Sequence, residues 1–318
     1  MQQQQNTSIV WFRNNLRSQD NEVLKSALSC SDRVIGVYFL DPKSFETTKY
    51  GFKKIERYRA KFLLETLHCL QVELHKLNIS FLVFNASAES KMKNLIESYN
   101  AQSIFLQKEW TQEERHDLEK VKKDLPNEVK IHEFYDQFLF HPSDTPFDFS
   151  QTPKVFTQFR KELEKKSKVR PILKIQAQNE LSKLERVPEI PSLKDLGFED
   201  FEIDNRTVFP FKGGEKSAGQ RLEHYFFESK ALGVYKKTRN GLLGLNYSSK
   251  FSPWLANGSL SARQIYWKVK TFESDFFSNQ STYWLVFELI WRDFFKYVSL
   301  KHGNSIFKID GILKKHYE

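Results

Sequence analysis

Five short runs of β-branched and aromatic residues, spread through the first 136 positions and separated by helix-like stretches, restrict this chain more than any other feature. They are SIVWFR at 8–13, RVIGVYFL at 33–40, ISFLVFN at 79–85, SIFLQ at 103–107 and KIHEFY at 130–135. Each is apolar almost continuously rather than at alternate positions, the pattern of parallel strands buried on both faces. Parallel neighbours need crossover connections, and the segments between the runs, including a long helical pattern from Ile55 to Leu77, can supply them. Residues 1–136 are therefore expected to form an α/β domain, a doubly wound parallel sheet of five strands. The first strand leads into RNNLRSQDN, with neither a G-x-G-x-x-G nor a Walker lysine loop. The phosphate cradles of dinucleotide dehydrogenases and P-loop ATPases are thus absent at that position.

The character of the chain changes twice more. Residues 137–211 hold seven of the ten prolines and one charged helical stretch, FTQFRKELEKKSK, which reads as an ordered connector between domains. Residues 212–318 are helical in pattern. Within them STYWLVFELIWRDFFKYVS (281–299) contains no proline or glycine, and Trp284, Glu288, Trp291, Arg292 and Phe295 recur at the spacing of one helix face. One reading makes this a core helix with an i,i+4 salt bridge from Glu288 to Arg292. The other starts from the neighbours Leu289 and Ile290: the charges would be poorly solvated and would need further partners, which a ligand can supply.

A second candidate feature is the turn Tyr247-Ser248-Ser249-Lys250-Phe251-Ser252 before Pro253. Hydroxyls, free backbone N–H groups and a lysine at a helix start suit an anion such as a phosphate. The alternative needs only Ser252, as the cap of a helix beginning at Pro253.

Charge is distributed unevenly. Residues 1–210 hold 32 Lys or Arg and 31 Asp or Glu, whereas residues 211–318 hold 17 and 9. A basic half interleaved with aromatics suggests an anionic partner, with nucleic acid the leading class, against the simpler reading of a soluble basic surface. Cys30 and Cys69 are too few for a disulfide framework, and they lack metal-ligand spacing, so no metal is expected. The polar start, MQQQQNTS, and the absence of a long apolar run argue against a signal peptide or membrane span. The cytosol is the default location, with an organelle or the nucleus open.

Three motifs in order, VWFRNNLRSQDN, RNGLLGLNYSSKFSPWLANGSLS and STYWLVFELIWRDFF, resemble the DNA photolyase and cryptochrome family, and the stretch RNGLLGLNYSSKFSPWL is most similar to its cryptochrome DASH branch. The resemblance implies an N-terminal α/β (antenna) domain at 1–136, an interdomain connector at 137–211 and an α-helical FAD-binding domain from 212. It implies that Ser248, Ser249, Lys250, Phe251 and Ser252 hold the flavin phosphates with Tyr235 nearby, and that Arg292 lies against the cofactor. Glu288 and Trp291 match the pair that meets the lesion in repairing members. A folate antenna (methenyltetrahydrofolate) would sit between the domains, with Glu109 and Glu113 the nearest contacts; both also read as first-turn acids of the helix that follows. Relatives continue well beyond the point where this chain stops, so the helical domain is expected to be incomplete, C-terminally truncated either as an incomplete gene product or by natural truncation.

The implied activity is that of a blue-light flavoprotein of deoxyribodipyrimidine photo-lyase type, passing an electron from reduced FAD to cyclobutane pyrimidine dimers in DNA. Single-stranded DNA and a monomeric protein are expected. Two other readings stand beside it: a photoreceptor or DNA-binding regulator without repair, and a truncated remnant that does not hold FAD.

Overall fold

The five apolar runs become strands β1 (Thr7–Trp11), β2 (Arg33–Phe39), β3 (Ser80–Phe84), β4 (Ala101–Gln107) and β5 (Lys130–Phe134) in a computed structural model that describes residues 6–316. The opening glutamine run lies outside the described residues. All four strand pairings are parallel, in the order β3-β2-β1-β4-β5. Helices α1 (Glu22–Cys30), α2 (Arg57–Lys76), α3 (Ala88–Tyr99) and α4 (Gln112–Asp124) make the crossovers. Alternate residues of β1 serve the two faces. Val10, with Phe12 just past the strand's end, packs with α1 and α2, while Ile9 and Trp11 pack with α3 and α4. Two buried faces explain why the strands read as unbroken apolar runs.

The proline-rich segment has one α-helix, α5 (Phe156–Lys166), and does not simply cross from one core to the other. Phe138, Leu139, Phe140, Phe156, Phe159 and Leu163 are buried in the helical core. Ile175, Ile190, Leu193 and Leu196 then return to the α2 side of the sheet, and Phe209 and Phe211 pack on the helical core again. The connector stitches the two cores together.

The remaining helices are α6 (Glu215–Glu223), extended by a π turn at His224–Glu228, then α7 (Tyr235–Thr238), α8 (Ser252–Asn257), α9 (Ala262–Asp275) and α10 (Gln280–His302). The Asn279 side chain accepts hydrogen bonds from the Ser281 and Thr282 N–H groups and starts α10; Gly303, at φ 51°, ends it.

The cores meet along a seam of charge. Arg17 Nη2 reaches Asp136 Oδ2 at 2.5 Å, and Arg263 Nη2 lies 3.0 Å from both Asp136 and Asp20, with every one of these side chains at most 2% exposed. Burial raises the Asp136 carboxyl pKa, and Arg17 and Arg263 oppose that shift. Arg17 also donates to the carbonyl of Gly258, at φ 75°, where a Cβ would lie 1.9 Å from the Asn14 carbonyl oxygen. Only glycine lets the loop after α8 approach the loop after β1 so closely.

Candidate functional site

Helix α10 has two faces. Leu285, Val286, Leu289, Ile290, Phe294 and Tyr297 are buried, whereas Trp284, Glu288, Trp291 and Arg292 are half-buried and Phe295 is exposed. The face picked out by the sequence is therefore the one that remains accessible. The expected Glu288 to Arg292 salt bridge does not form. Glu288 Oε1 accepts from Arg239 Nη1 at 2.8 Å, and Arg292 donates to the carbonyls of Gln137 at 2.6 Å and Leu255 at 3.3 Å. A guanidinium carries five donors in a rigid fork, and carbonyls brought close by the connector and α8 satisfy it better than one flexible carboxylate on its own helix. The charges are also wetter than the sequence suggests, with the Glu288 and Arg239 side chains each 31% exposed.

The turn before α8 is shaped from behind. Arg221, on α6 and only 3% exposed, donates to the carbonyls of Leu245, Ser248 and Ser249 and to Asn246 Oδ1, at 2.8–3.1 Å. Four acceptors are drawn to one guanidinium. Among the described residues, the Ser248, Ser249 and Ser252 hydroxyls and the N–H groups of 248–251 find no partner in the chain. Lys250, at φ 63°, places its ammonium 3.6 Å from the centre of the Tyr247 ring. Phe251 is buried as the turn's anchor. Ser252 does not act as the helix cap: α8 begins at Ser252 itself, Phe251 occupies the cap position, and no side-chain cap bond forms.

Tyr235, Lys236 and Arg239, on and just after α7, pack against α10. The Tyr235 hydroxyl pKa is pushed up to about 12 by burial and then by the charge of Glu288. Lys236 Nζ and the Arg239 guanidinium lie 4.4 and 5.8 Å from the Trp284 ring centre. Trp284 Nε1 is buried without an acceptor. Arg239 and the role of Trp284 escape sequence reasoning. The one available signal is the basic run KKTR directly after Tyr235, which says that cations are near but not which carboxylate they meet.

Other sequence candidates scatter. Trp291 stacks on Phe156 of α5, ring centres 3.5 Å apart, and lies 5.6 Å from Phe295. Glu113 is a first-turn acid of α4, in line with one of its two readings, and its exposed carboxylate pairs with Lys54. Glu109 precedes that helix and behaves differently. It accepts from Gln107 Nε2 at 2.6 Å, its carboxyl pKa is raised by burial, and the charges of Lys296 and Arg13 oppose the shift. Gln107 Oε1 and Gln137 Oε1 are buried without partners. Lys296, on α10, has its ammonium pKa lowered to about 8 by burial first and by Arg292 second. A cavity of about 600 Å³ lies elsewhere, between α2, the returning connector and α8, and none of the sequence-predicted site residues lines it.

Among the described residues no group of three or more His, Cys, Asp or Glu could hold a metal ion, and no helix is long and apolar enough to cross a membrane. Cys30 and Cys69 are unpaired thiols.

Comparison with known proteins gives one consistent result. A family model described as DNA photolyase matches residues 8–180. The cryptochrome DASH of Gloeobacter violaceus is 42% identical over 316 residues, which cover 96% of this chain and 61% of that protein. The crystal structure of a Synechocystis cryptochrome matches with a TM-score of 0.90 at 38% identity, covering 100% of this chain and 66% of that one. A class III photolyase from Agrobacterium tumefaciens shares the fold, with a TM-score of 0.75 at 20% identity, covering 98% and 64%. The chain spans about three fifths of the length of the curated relatives it matches.

Proposed function

The chain belongs to the DNA photolyase family, and from that premise we propose that it is a blue-light flavoprotein of the cryptochrome DASH kind acting on cyclobutane pyrimidine dimers in single-stranded DNA. The observation that carries this reading is the pairing of Glu288 with Arg239 on a helix that Arg292 ties to α8, directly after a turn whose hydroxyls and N–H groups are unspent.

These residues fit an FAD. A pyrophosphate needs several convergent donors, and Ser248, Ser249, Lys250 and Ser252 present them from a turn that Arg221 prevents from collapsing. An aromatic ring system needs flat walls, and Trp284 on α10 and Tyr235 at the start of α7 can supply them. When bound, the flavin supplies photoexcited electron donation, chemistry that no side chain here can perform.

The chain's own work is binding and orientation. Glu288, oriented by Arg239, offers a carboxylate to the Watson–Crick edge of a flipped pyrimidine, and the α10 aromatics offer apolar surface to its faces. Arg292 acts from behind, tying α10 to the connector and α8 so that the wall cannot drift from the turn. A folate antenna would be held by Glu109, which feels the charge of Lys296, and by the unpartnered oxygens of Gln107 and Gln137.

The test is reconstitution. The purified chain is titrated with FAD, reduced, and illuminated with a thymine-dimer oligonucleotide. Bound flavin with an intact dimer after illumination would leave only photoreception or regulation. A colourless chain after FAD addition would overturn the flavoprotein reading altogether.

A further inference from the structure

Residues 43–61 hold seven Lys or Arg and two Glu, whereas the rest of residues 1–210 holds 25 and 29. An island of positive charge thus stands on an otherwise acidic half of the chain, far along the sequence from the basic helical half. The structure gives the island a shape. After β2 the chain folds back at the bridge between Thr47 and Lys53. The Thr48 N–H and hydroxyl both donate to the Phe52 carbonyl, at 2.9 and 2.7 Å, and Gly51 takes φ 85° at the tip.

This hairpin holds two aromatic rings in water. Tyr50 is 71% and Phe52 60% exposed, and the rings stack with centres 6.2 Å apart and planes 22° apart. Tyr58, 56% exposed, stands at the start of α2 on the same basic stretch. Cations sit against these rings: Lys49 Nζ is 5.0 Å from the centre of Tyr50 and Arg57 is 5.1 Å from that of Tyr58. Among the described residues Lys49, Lys53 and Arg57 form no salt bridge with a carboxylate. Core packing does not explain the exposed, stacked rings of Tyr50 and Phe52. Tyr58 meets Phe201 edge-on, and Lys53 and Arg57 also lie 4.2 and 5.1 Å from the Phe198 and Phe201 rings, but among the described residues no carboxylate neutralises these cations.

We propose that the hairpin at 47–53, with Arg57 and Tyr58, is a second single-stranded nucleic-acid contact on the α/β domain, stacking bases on Tyr50, Phe52 and Tyr58 and meeting phosphates with Lys49, Lys53 and Arg57. Stacking faces flanked by unpaired cations are the two elements by which single strands are bound without sequence preference. The proposal rests on the reading that DNA is the partner, but it needs neither flavin nor lesion. It places an undamaged flank of the strand on a domain that the chemistry does not use.

The test is fluorescence anisotropy with an undamaged labelled oligo(dT), across a salt series, on the full chain. Tyr50→Ala with Phe52→Ala should weaken binding about tenfold or more, and Tyr50→Trp with Phe52→Trp should preserve it. Lys49→Ala with Lys53→Ala should flatten the slope of log affinity against log salt by about 1.4, for two lost single-strand phosphate contacts. Flavin content should not move, and melting temperature should shift little, since Lys49, Tyr50 and Phe52 are exposed and Lys53 is half-buried with only the Phe198 ring beside its ammonium. Wild-type affinity in both alanine variants, with weaker binding in Arg239→Ala, overturns the hairpin contact and leaves the DNA reading standing. Absence of oligo(dT) binding by the wild type at low salt removes both. Equal competition by poly-glutamate also overturns the proposal, because charge without stacking would then suffice.

Discussion

Two charge clusters in this molecule are alike in composition and differ in everything else. At the seam, Arg17, Asp20, Asp136 and Arg263 are shut away from water, and each carboxylate meets at least one guanidinium at 3.0 Å or closer. On α10, Glu288 meets Arg239 at a similar 2.8 Å, yet both remain about a third exposed. The seam is closed on itself: removing one member strands the others in a medium that solvates them poorly. The α10 pair is open, held in place by the chain but not saturated by it. An ion pair read as architecture and one read as a binding site are thus distinguished by what surrounds them, not by their own distance.

The comparison can be broken most forcefully at the seam. Asp136→Ala leaves Arg17 and Arg263 without their shared acceptor, and should cost about 3–5 kcal/mol, lowering the melting temperature by roughly 10 °C. Calorimetry or denaturant unfolding reads this directly, and a change below about 1 kcal/mol would mean that the seam is as tolerant as a surface pair.

Next in size is Arg221→Met, which removes the cation behind the 245–252 turn. A loss of about 2–3 kcal/mol together with weakened FAD uptake is expected, measured as the flavin to protein absorbance ratio after reconstitution. Unaltered uptake would detach the turn from the cofactor.

Glu288→Gln is expected to change stability by less than about 1 kcal/mol and leave flavin content intact, while repair of a thymine dimer falls about tenfold, the value of one charge-assisted hydrogen bond. Equal stability losses from Glu288→Gln and Asp136→Ala would erase the contrast between the two clusters.

The smallest effect lies in pH. Burial, with Arg292 opposing it, pushes the Asp293 carboxyl up to about 6, where it accepts N–H groups from Leu139 and Phe140. A folded pKa above the unfolded one means that the native state holds the proton more tightly. The stability from this group is present below about 4 and is lost as pH rises through 6. Asp293→Asn mimics the protonated form, so its destabilisation should be greater at pH 4.5 than at pH 6.5. Unfolding curves at the two values check the sign.

Much of the α/β half is legible without any coordinates. The runs at 8–13, 33–40, 79–85, 103–107 and 130–135 fall on β1 to β5 to within two residues at each end, because a strand covered on both faces tolerates little but apolar side chains. The helix expected at 281–299 spans 280–302 for a similarly local reason, an uninterrupted run between the Asn279 cap and Gly303. The connector reads as a crossing and proves to be a stitch, since proline content reports where regular structure stops and not where the chain goes next. The candidate site is half visible. Tyr235 lies within the field of Glu288, whereas Glu113 pairs with Lys54 and Trp291 lies on Phe156.

The amino-acid sequence by itself determined which segments are strand or helix, which residues of α10 share a face and which half is basic. These properties depend on side chains a few residues apart, and periodicity records them. Only the tertiary structure decided that Glu288 belongs to Arg239, 49 residues away, that Arg292 serves the Gln137 and Leu255 carbonyls, and that Arg221 draws the turn's carbonyls inward. A charge has no partner written beside it in the chain: it takes whichever acceptor the packing of distant elements brings within about 3 Å in a site that water no longer fully screens.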